Sequence, residues 1–211
     1  MTEETATKSL IDRIEDWDTQ LFLKLYNSKF SDNSKKFSKI YSFFGNWYFW
    51  TVLWIVMGIF AYIIRDYDLL ILFTGGFDQA FILYMLIRYK VVNRNRPFIK
   101  LEAHGVEQHD DLIKENKSFP SGHVTFFLYF GCIFAFYFNN WYIFFIFIGL
   151  DVVMAFTRLI LGVHFPMDVI FGFIFALIFA ALYLGLTWIY WDIFYRWLGD
   201  VFWFMSPRNW F

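Results

Sequence analysis

The sequence predicts an all-α integral membrane protein: an antiparallel bundle of five transmembrane helices, or six if the tail adds a short span, plus an N-terminal amphipathic interfacial helix. Three observations carry this. The 211 residues are 59% hydrophobic and 26% aromatic but only 18% charged, whereas an ordinary soluble domain has roughly a quarter of its residues charged. Long apolar runs recur at close to the ~20 residues that a helix needs to cross the hydrocarbon core. The runs show no sustained alternation and are too few to close a β-barrel.

The elements follow in order. Residues 1–211 read as one domain, since no Gly-, Pro- or Ser-rich linker and no internal repeat divides them. In the N-terminal region, 1–44, Trp17, Leu21, Phe22 and Leu25 recur near a helical period while Asp16, Asp18, Gln20 and Lys24 fall largely elsewhere. That pattern predicts a helix lying along the interface, or one capping the cytosolic face of the bundle. The N-terminus is acidic and has no apolar core, so it is not a signal peptide and the first span is expected to act as the targeting element.

The transmembrane core, 47–190, contains apolar runs at 47–64, 69–87, 124–138, 142–156 and 169–190. The tail, 191–211, mixes Trp191, Tyr195, Trp197, Trp203 and Trp210 with Asp192, Arg196, Asp200 and Arg208, as in an interfacial helix or hairpin. Turns after the first and third runs are very short, and the only long loop is 88–120. The end of span two, the start of span three, the end of span four and the start of span five therefore meet on one side. The unusual polar residues cluster at those ends.

A net charge of -1 gives no support for a nucleic-acid partner. The single cysteine, Cys132, cannot form an intrachain disulfide and reads as an apolar filler.

Three polar groups carry the chemistry. The first is Arg94, Arg96 and Pro97; the planar fork of Arg96 suits two phosphate oxygens, although a basic cluster after a span is, alone, the ordinary orientation signal. The second is Pro120-Ser121-Gly122-His123, just before an apolar run. Ser121 is a candidate N-cap, Gly122 lets an anion approach the backbone N–H groups, and His123 falls on the first turn within reach of that anion. The third is Thr157-Arg158 with His164 and Asp168. Burying Arg158 unpaired would cost a few kcal/mol, so it needs an anionic partner. Asp168 on one ring nitrogen of His164 would leave the other ready to attack. A metal site is disfavoured by the permanent cations around the pair.

Together these residues resemble the type 2 phosphatidic acid phosphatase family. Its three-part signature is matched by Arg96-Pro97, by Pro120-Ser121-Gly122-His123, and by Thr157-Arg158 with His164-Phe165-Pro166-Met167-Asp168. There are two departures. The motif lysine falls on Tyr89, with Arg88 and Lys90 on either side as possible substitutes, and Thr157 replaces the usual serine.

The resemblance implies metal-independent hydrolysis of a lipid phosphate or diphosphate, without a cofactor. His164 would be the nucleophile that becomes a phosphohistidine, His123 the general acid and base, and Asp168 the residue that orients His164. Arg96, Arg158, Ser121 and Gly122, with Arg88 or Lys90, would bind the phosphate. The expected partner is an amphipathic phosphorylated lipid in the bilayer, either an isoprenoid diphosphate or a glycerophospholipid phosphate. The alternatives are a lipid phosphotransferase, or a non-catalytic lipid-phosphate binder lacking the motif lysine.

Small residues Gly172, Ala176, Ala180 and Ala181 suggest close helix packing or a tail groove. Asp78 and Asp151 lie in apolar runs, Asp151 on the helix face of Arg158 and a candidate support for it. Seven Lys and Arg precede Phe44 and seven lie in 88–117, against Arg65, Arg196 and Arg208 on the other side. The charge bias places the active face in the cytosol, whereas family analogy allows the outer face.

Overall fold

A computed structural model describes residues 9–202. Trp203, Arg208 and Trp210 of the expected interfacial tail lie outside them. The chain forms α1 (Leu10–Tyr26), α2 (Lys29–Ser42), α3 (Trp47–Ile64), α4 (Tyr67–Lys90), α5 (Pro97–Lys100), α6 (Gly122–Tyr137), α7 (Trp141–Ile160), α8 (Pro166–Leu182) and α9 (Trp188–Val201). Among the described residues the only β pairing is an isolated bridge between Asn95 and Lys117. Among the described residues four helices are long and apolar enough to cross a membrane, and α6, at 16 residues, is a shorter apolar one.

Local chemistry sets the helix ends. The Asn46 side chain accepts from the Tyr48 N–H at 2.9 Å to start α3, and Asp66 accepts from the Leu69 N–H at 2.8 Å to start α4. Arg65 and Asn139, at φ 60° and 47°, reverse the chain in the two short turns. Those turns make α3 and α4, and likewise α6 and α7, antiparallel neighbours.

Helix α6 is the buried centre, packed on α7 and α8. A Cβ on Gly172 would sit 3.1 Å from the Ser121 carbonyl oxygen, and Ala176 and Ala180 are buried, so this stripe serves close packing of α8 on α6. Ala181, in contrast, is exposed and lines a groove with Cys132 and Phe144.

Among the described residues the tail is helical, one of the two forms expected of it. Through a π turn at Tyr183–Thr187, α8 continues into α9, giving a helical stretch of 36 residues, Pro166–Val201. Trp191 Nε1 donates to Gln79 Oε1 at 2.7 Å, Tyr67 donates to the Tyr195 carbonyl at 2.8 Å, and the Tyr195 hydroxyl donates to Asp78. Half-buried Asp78 is thus matched by a hydrogen bond from α9, and Trp191 and Tyr195 serve helix packing on α4, whereas Trp197 is exposed.

The N-terminal region also differs in detail. It forms two helices, and the buried face of α1 is Asp18, Phe22 and Tyr26, while Trp17 and Leu21 are 49% and 40% exposed. The periodicity placed Asp18 on a polar face; its burial is made possible by partners far away in sequence.

Candidate active site

The site lies where the C-terminal ends of α4 and α7 meet the N-terminal ends of α3, α6 and α8. A cavity of about 370 Å³ there is lined by Tyr84, Arg88, Tyr89, Arg96, Glu115, Gly122, His123 and His164 among others. Apolar Trp47, Phe81, Met85 and Phe126 line it as well, so it joins a cationic end to an apolar wall.

His164 sits in the turn between α7 and α8. Gly162 makes that turn possible: its φ is +73°, and a Cβ there would lie 2.4 Å from the Glu107 carbonyl oxygen. The two ring nitrogens of His164 face different partners. Nδ1 lies 3.6 Å from Asp168 Oδ2, beyond hydrogen-bond distance and with no other protein partner among the described residues, and Nε2 lies 3.2 Å from Arg96 Nη1. Burial, followed by the charges of Arg96, Arg158 and Arg88, pushes the His164 pKa well below the ordinary imidazole value. The ring is neutral at pH 7.

Arg96, at the N-cap of α5, is held by its Nε to the Glu115 carbonyl at 2.6 Å and by its Nη1 to the Val163 carbonyl at 3.0 Å. Burial and the neighbouring Arg88 and Arg158 bring its pKa down to about 10, so it stays charged at neutral pH. Arg158 is 0% exposed and does find its anion, but not the expected one. Its Nη1 donates to Asp110 Oδ2 at 2.8 Å and to the Ser42 hydroxyl, and Ser42 in turn donates to Asp110 at 3.3 Å. Asp151 is buried with neither oxygen hydrogen-bonded among the described residues, so it does not support Arg158. The loop carboxylate, carried back over α7, takes that role.

Ser121 occupies the N-cap of α6, yet its hydroxyl makes no cap hydrogen bond. Buried Ser121 Oγ, His123 Nε2, and Arg158 Nε and Nη2 all lack a protein partner among the described residues. Ser121 and Arg158 do not line the cavity itself. Gly122 does line it, and a Cβ there would sit 2.6 Å from the Tyr84 hydroxyl.

Of the two neighbours of Tyr89, the structure brings Arg88 to the cavity and leaves Lys90 exposed outside it. Arg88 donates to Glu115 Oε2 from Nε at 2.9 Å and Nη2 at 2.7 Å, to the Lys117 carbonyl at 2.6 Å, and to Tyr84 at 2.8 Å. Tyr89 completes the grip on Glu115 with a 2.8 Å bond to Oε1. Burial alone would raise the Glu115 pKa, but hydrogen bonds from Arg88 and Tyr89 outweigh it and hold the carboxyl below its usual range.

Sequence reasoning missed several residues around the site. Arg94 was grouped with Arg96 but lies against Asp168, Nη1 to Oδ1 at 3.0 Å. Asp110, Glu115 and Ser42 sit in segments without a local signal. Gly45 packs on His123, where a Cβ would come within 2.8 Å of the His123 Cβ.

The fold and this polar end define a helical membrane protein with a cationic, two-histidine pocket at aligned helix ends. Residues 68–195 match the model of the PAP2 superfamily, and the chain belongs to that superfamily. Two solved structures share the fold. LpxE of Aquifex aeolicus superposes with a TM-score of 0.63 at 22% identity, covering 87% of this chain and 99% of that one. A PAP2-type phosphatidylglycerolphosphate phosphatase from Bacillus subtilis superposes with a TM-score of 0.64 at 17% identity, covering 82% and 86%. No curated protein matches the chain.

Proposed function

We propose that the protein hydrolyses a phosphorylated lipid, a monophosphate or diphosphate, through a phosphohistidine on His164. The observation that carries this is the two-sided environment of the His164 ring: Nδ1 faces Asp168, and Nε2 faces Arg96 at the cavity. Nε2 attacks phosphorus and its lone pair forms the P–N bond as the P–O bond to the lipid breaks. His123 gives its proton to the departing oxygen. Arg96, Arg88 and the Gly122 N–H, which line the cavity, hold the phosphoryl oxygens and stabilise their charge. Arg158 and the Ser121 hydroxyl, buried outside that lining with polar atoms unpartnered among the described residues, join them once phosphate is bound. Water then attacks phosphorus, His123 takes a proton from it, and inorganic phosphate leaves a neutral His164.

Membership of the superfamily and the lipid-phosphatase name of the Bacillus subtilis neighbour support this reading. The apolar wall beside the cationic end suits a substrate whose tail stays in lipid. Isoprenoid diphosphates and glycerophospholipid phosphates both meet that description. The uneven distribution of Lys and Arg favours a cytosolic active face.

The test is phosphate release in detergent from phosphatidic acid, phosphatidylglycerophosphate and an isoprenoid diphosphate, with a chelator present. Release that is lost in His164→Ala, with an acid-labile, base-stable phosphoryl adduct trapped on the wild-type chain, supports the reading. Lipid-phosphate binding without release from the wild type would make the protein a binder instead.

A further inference from the structure

Asp18 stands in the middle of an amphipathic helix outside the part of the chain that matches the family, yet it is 0% exposed. It is spent on two partners, both at the active site. Its Oδ1 accepts from the Met167 N–H in the first turn of α8 at 2.8 Å, and its Oδ2 accepts from Arg94 Nη2. The other arm of Arg94 reaches Asp168 Oδ1 at 3.0 Å, and the guanidinium lies 4.1 Å from the centroid of the Phe165 ring. Asp168 also accepts from the Phe165 N–H at 2.8 Å, so both of its oxygens are fixed before it meets His164.

The charges explain why two carboxylates are needed. An arginine paired with Asp168 alone would cancel the negative charge that supports the positive form of His164. A second carboxylate on the far arm of Arg94 leaves the group of three with one net negative charge. It also holds the rigid fork at both ends, which sets the Asp168 rotamer. Burial works against the Arg94 charge, but Asp168 and Asp18 more than offset it and keep the guanidinium above its ordinary pKa.

We propose that Asp18 is a positioning residue of the active site, which acts through Arg94 to fix Asp168 and to keep its negative charge directed at His164. This rests on the reading of His164 and Asp168 given above. Helix α1 then belongs to the catalytic machinery, in addition to any role at the membrane surface.

Asp18→Asn tests it on the full chain, because the amide oxygen still accepts from Met167 while the negative charge facing Arg94 is gone; Asp18→Ala removes both. Using phosphatidic acid and an isoprenoid diphosphate in mixed micelles, Asp18→Asn should lower kcat about tenfold, as loss of an outer partner of a functional histidine does, with KM within about twofold of wild type. The acid limb of the kcat profile should move to lower pH, since His164, already facing Arg96, Arg88, Arg158 and His123, loses net negative charge beyond Asp168. Asp18→Glu should recover part of kcat. A proportional loss of Tm and folded protein in Asn and Ala variants alike, with unchanged kcat per folded molecule, would make Asp18 a mere anchor for α1 and overturn the proposal.

A second readout needs no turnover. In chain labelled with ¹⁵N-histidine, the His164 ring resonances, assigned with His164→Gln, should shift in Asp18→Asn. Unshifted resonances overturn the positioning role, and this holds even if the wild type releases no phosphate, in which case it is the hydrolase reading that fails.

Discussion

Arg158, wholly buried at the end of α7, donates to Asp110 of the long loop at 2.8 Å, and the two share the Ser42 hydroxyl. This ties the loop and the end of α2 to one guanidinium while leaving its Nε and Nη2 without a protein partner among the described residues.

Asp110→Asn should therefore destabilise the chain, since removing one member of a buried pair costs about 3–5 kcal/mol. Thermal unfolding in detergent should show a clear fall in Tm together with loss of phosphate release. An unchanged Tm would mean that Arg158 is anchored by other means.

The pH dependence follows from His164. Its folded-state pKa is depressed by burial and by Arg96, Arg158 and Arg88, so the neutral, nucleophilic form persists below pH 6.5. Activity should fall on the acid side only as pH drops through that depressed value. It should fall again with rising pH once His123 loses the proton that the scheme has it donate. Single-turnover rates from pH 4 to 9 check this; a flat profile with chemistry rate-limiting would count against the two-histidine scheme.

Arg88 and Lys90 should behave differently. Arg88→Ala removes a cavity cation and should raise KM or lower kcat at least tenfold, an energy of about 1.4 kcal/mol, which is modest for a hydrogen bond to a charged group. Lys90→Ala should stay near wild type, its side chain being outside the cavity. Equal losses in both would reassign the motif cation.

Glu115 occupies two of the arms of Arg88 as a carboxylate. Glu115→Gln keeps the backbone carbonyl that holds Arg96 but frees charge for an incoming phosphate, so KM for a lipid phosphate should fall. A higher KM would show that Glu115 instead holds Arg88 in its binding pose.

A smaller change probes the wall behind His123. Gly45→Ala places a methyl within 3 Å of the His123 ring and Met154, and overpacking of this kind costs about 1–3 kcal/mol. Activity should drop with the ring displaced, measured alongside Tm.

Much of this was legible in the sequence. The helix spans follow from apolar length, and the motif at Ser121 to His123 and at Arg158 to Asp168 is local, so spacing alone brings its members together. What stayed hidden are the partners that neutralise buried charge. Asp18, Asp110 and Glu115 lie 76, 48 and 27 positions from Arg94, Arg158 and Arg88, and no periodicity links carboxylates to arginines at such separations. Asp18 misled for the same reason: on its own helix it reads as solvent-facing, and only Arg94 and the first turn of α8 reverse that. The tail was legible in part: its aromatic residues suit both a membrane surface and a helix interface, and Trp191 and Tyr195 bond to α4 while Trp197 is exposed.

One dimension of the bundle bears on how a lipid would reach His164, the proposed nucleophile. Helix α6 has 16 residues, so it rises about 24 Å, some 6 Å less than a typical hydrocarbon core. With Ser121 at its N-cap and Gly122 and His123 on its first turn, a polar floor carried by so short a helix would lie below the membrane surface if its other end meets the opposite one, unless the surrounding bilayer thins to meet it. On the proposed function, a headgroup would then travel inward to react while its chain stays beside its neighbours, and turnover should be faster in short-chain bilayers than in thick ones.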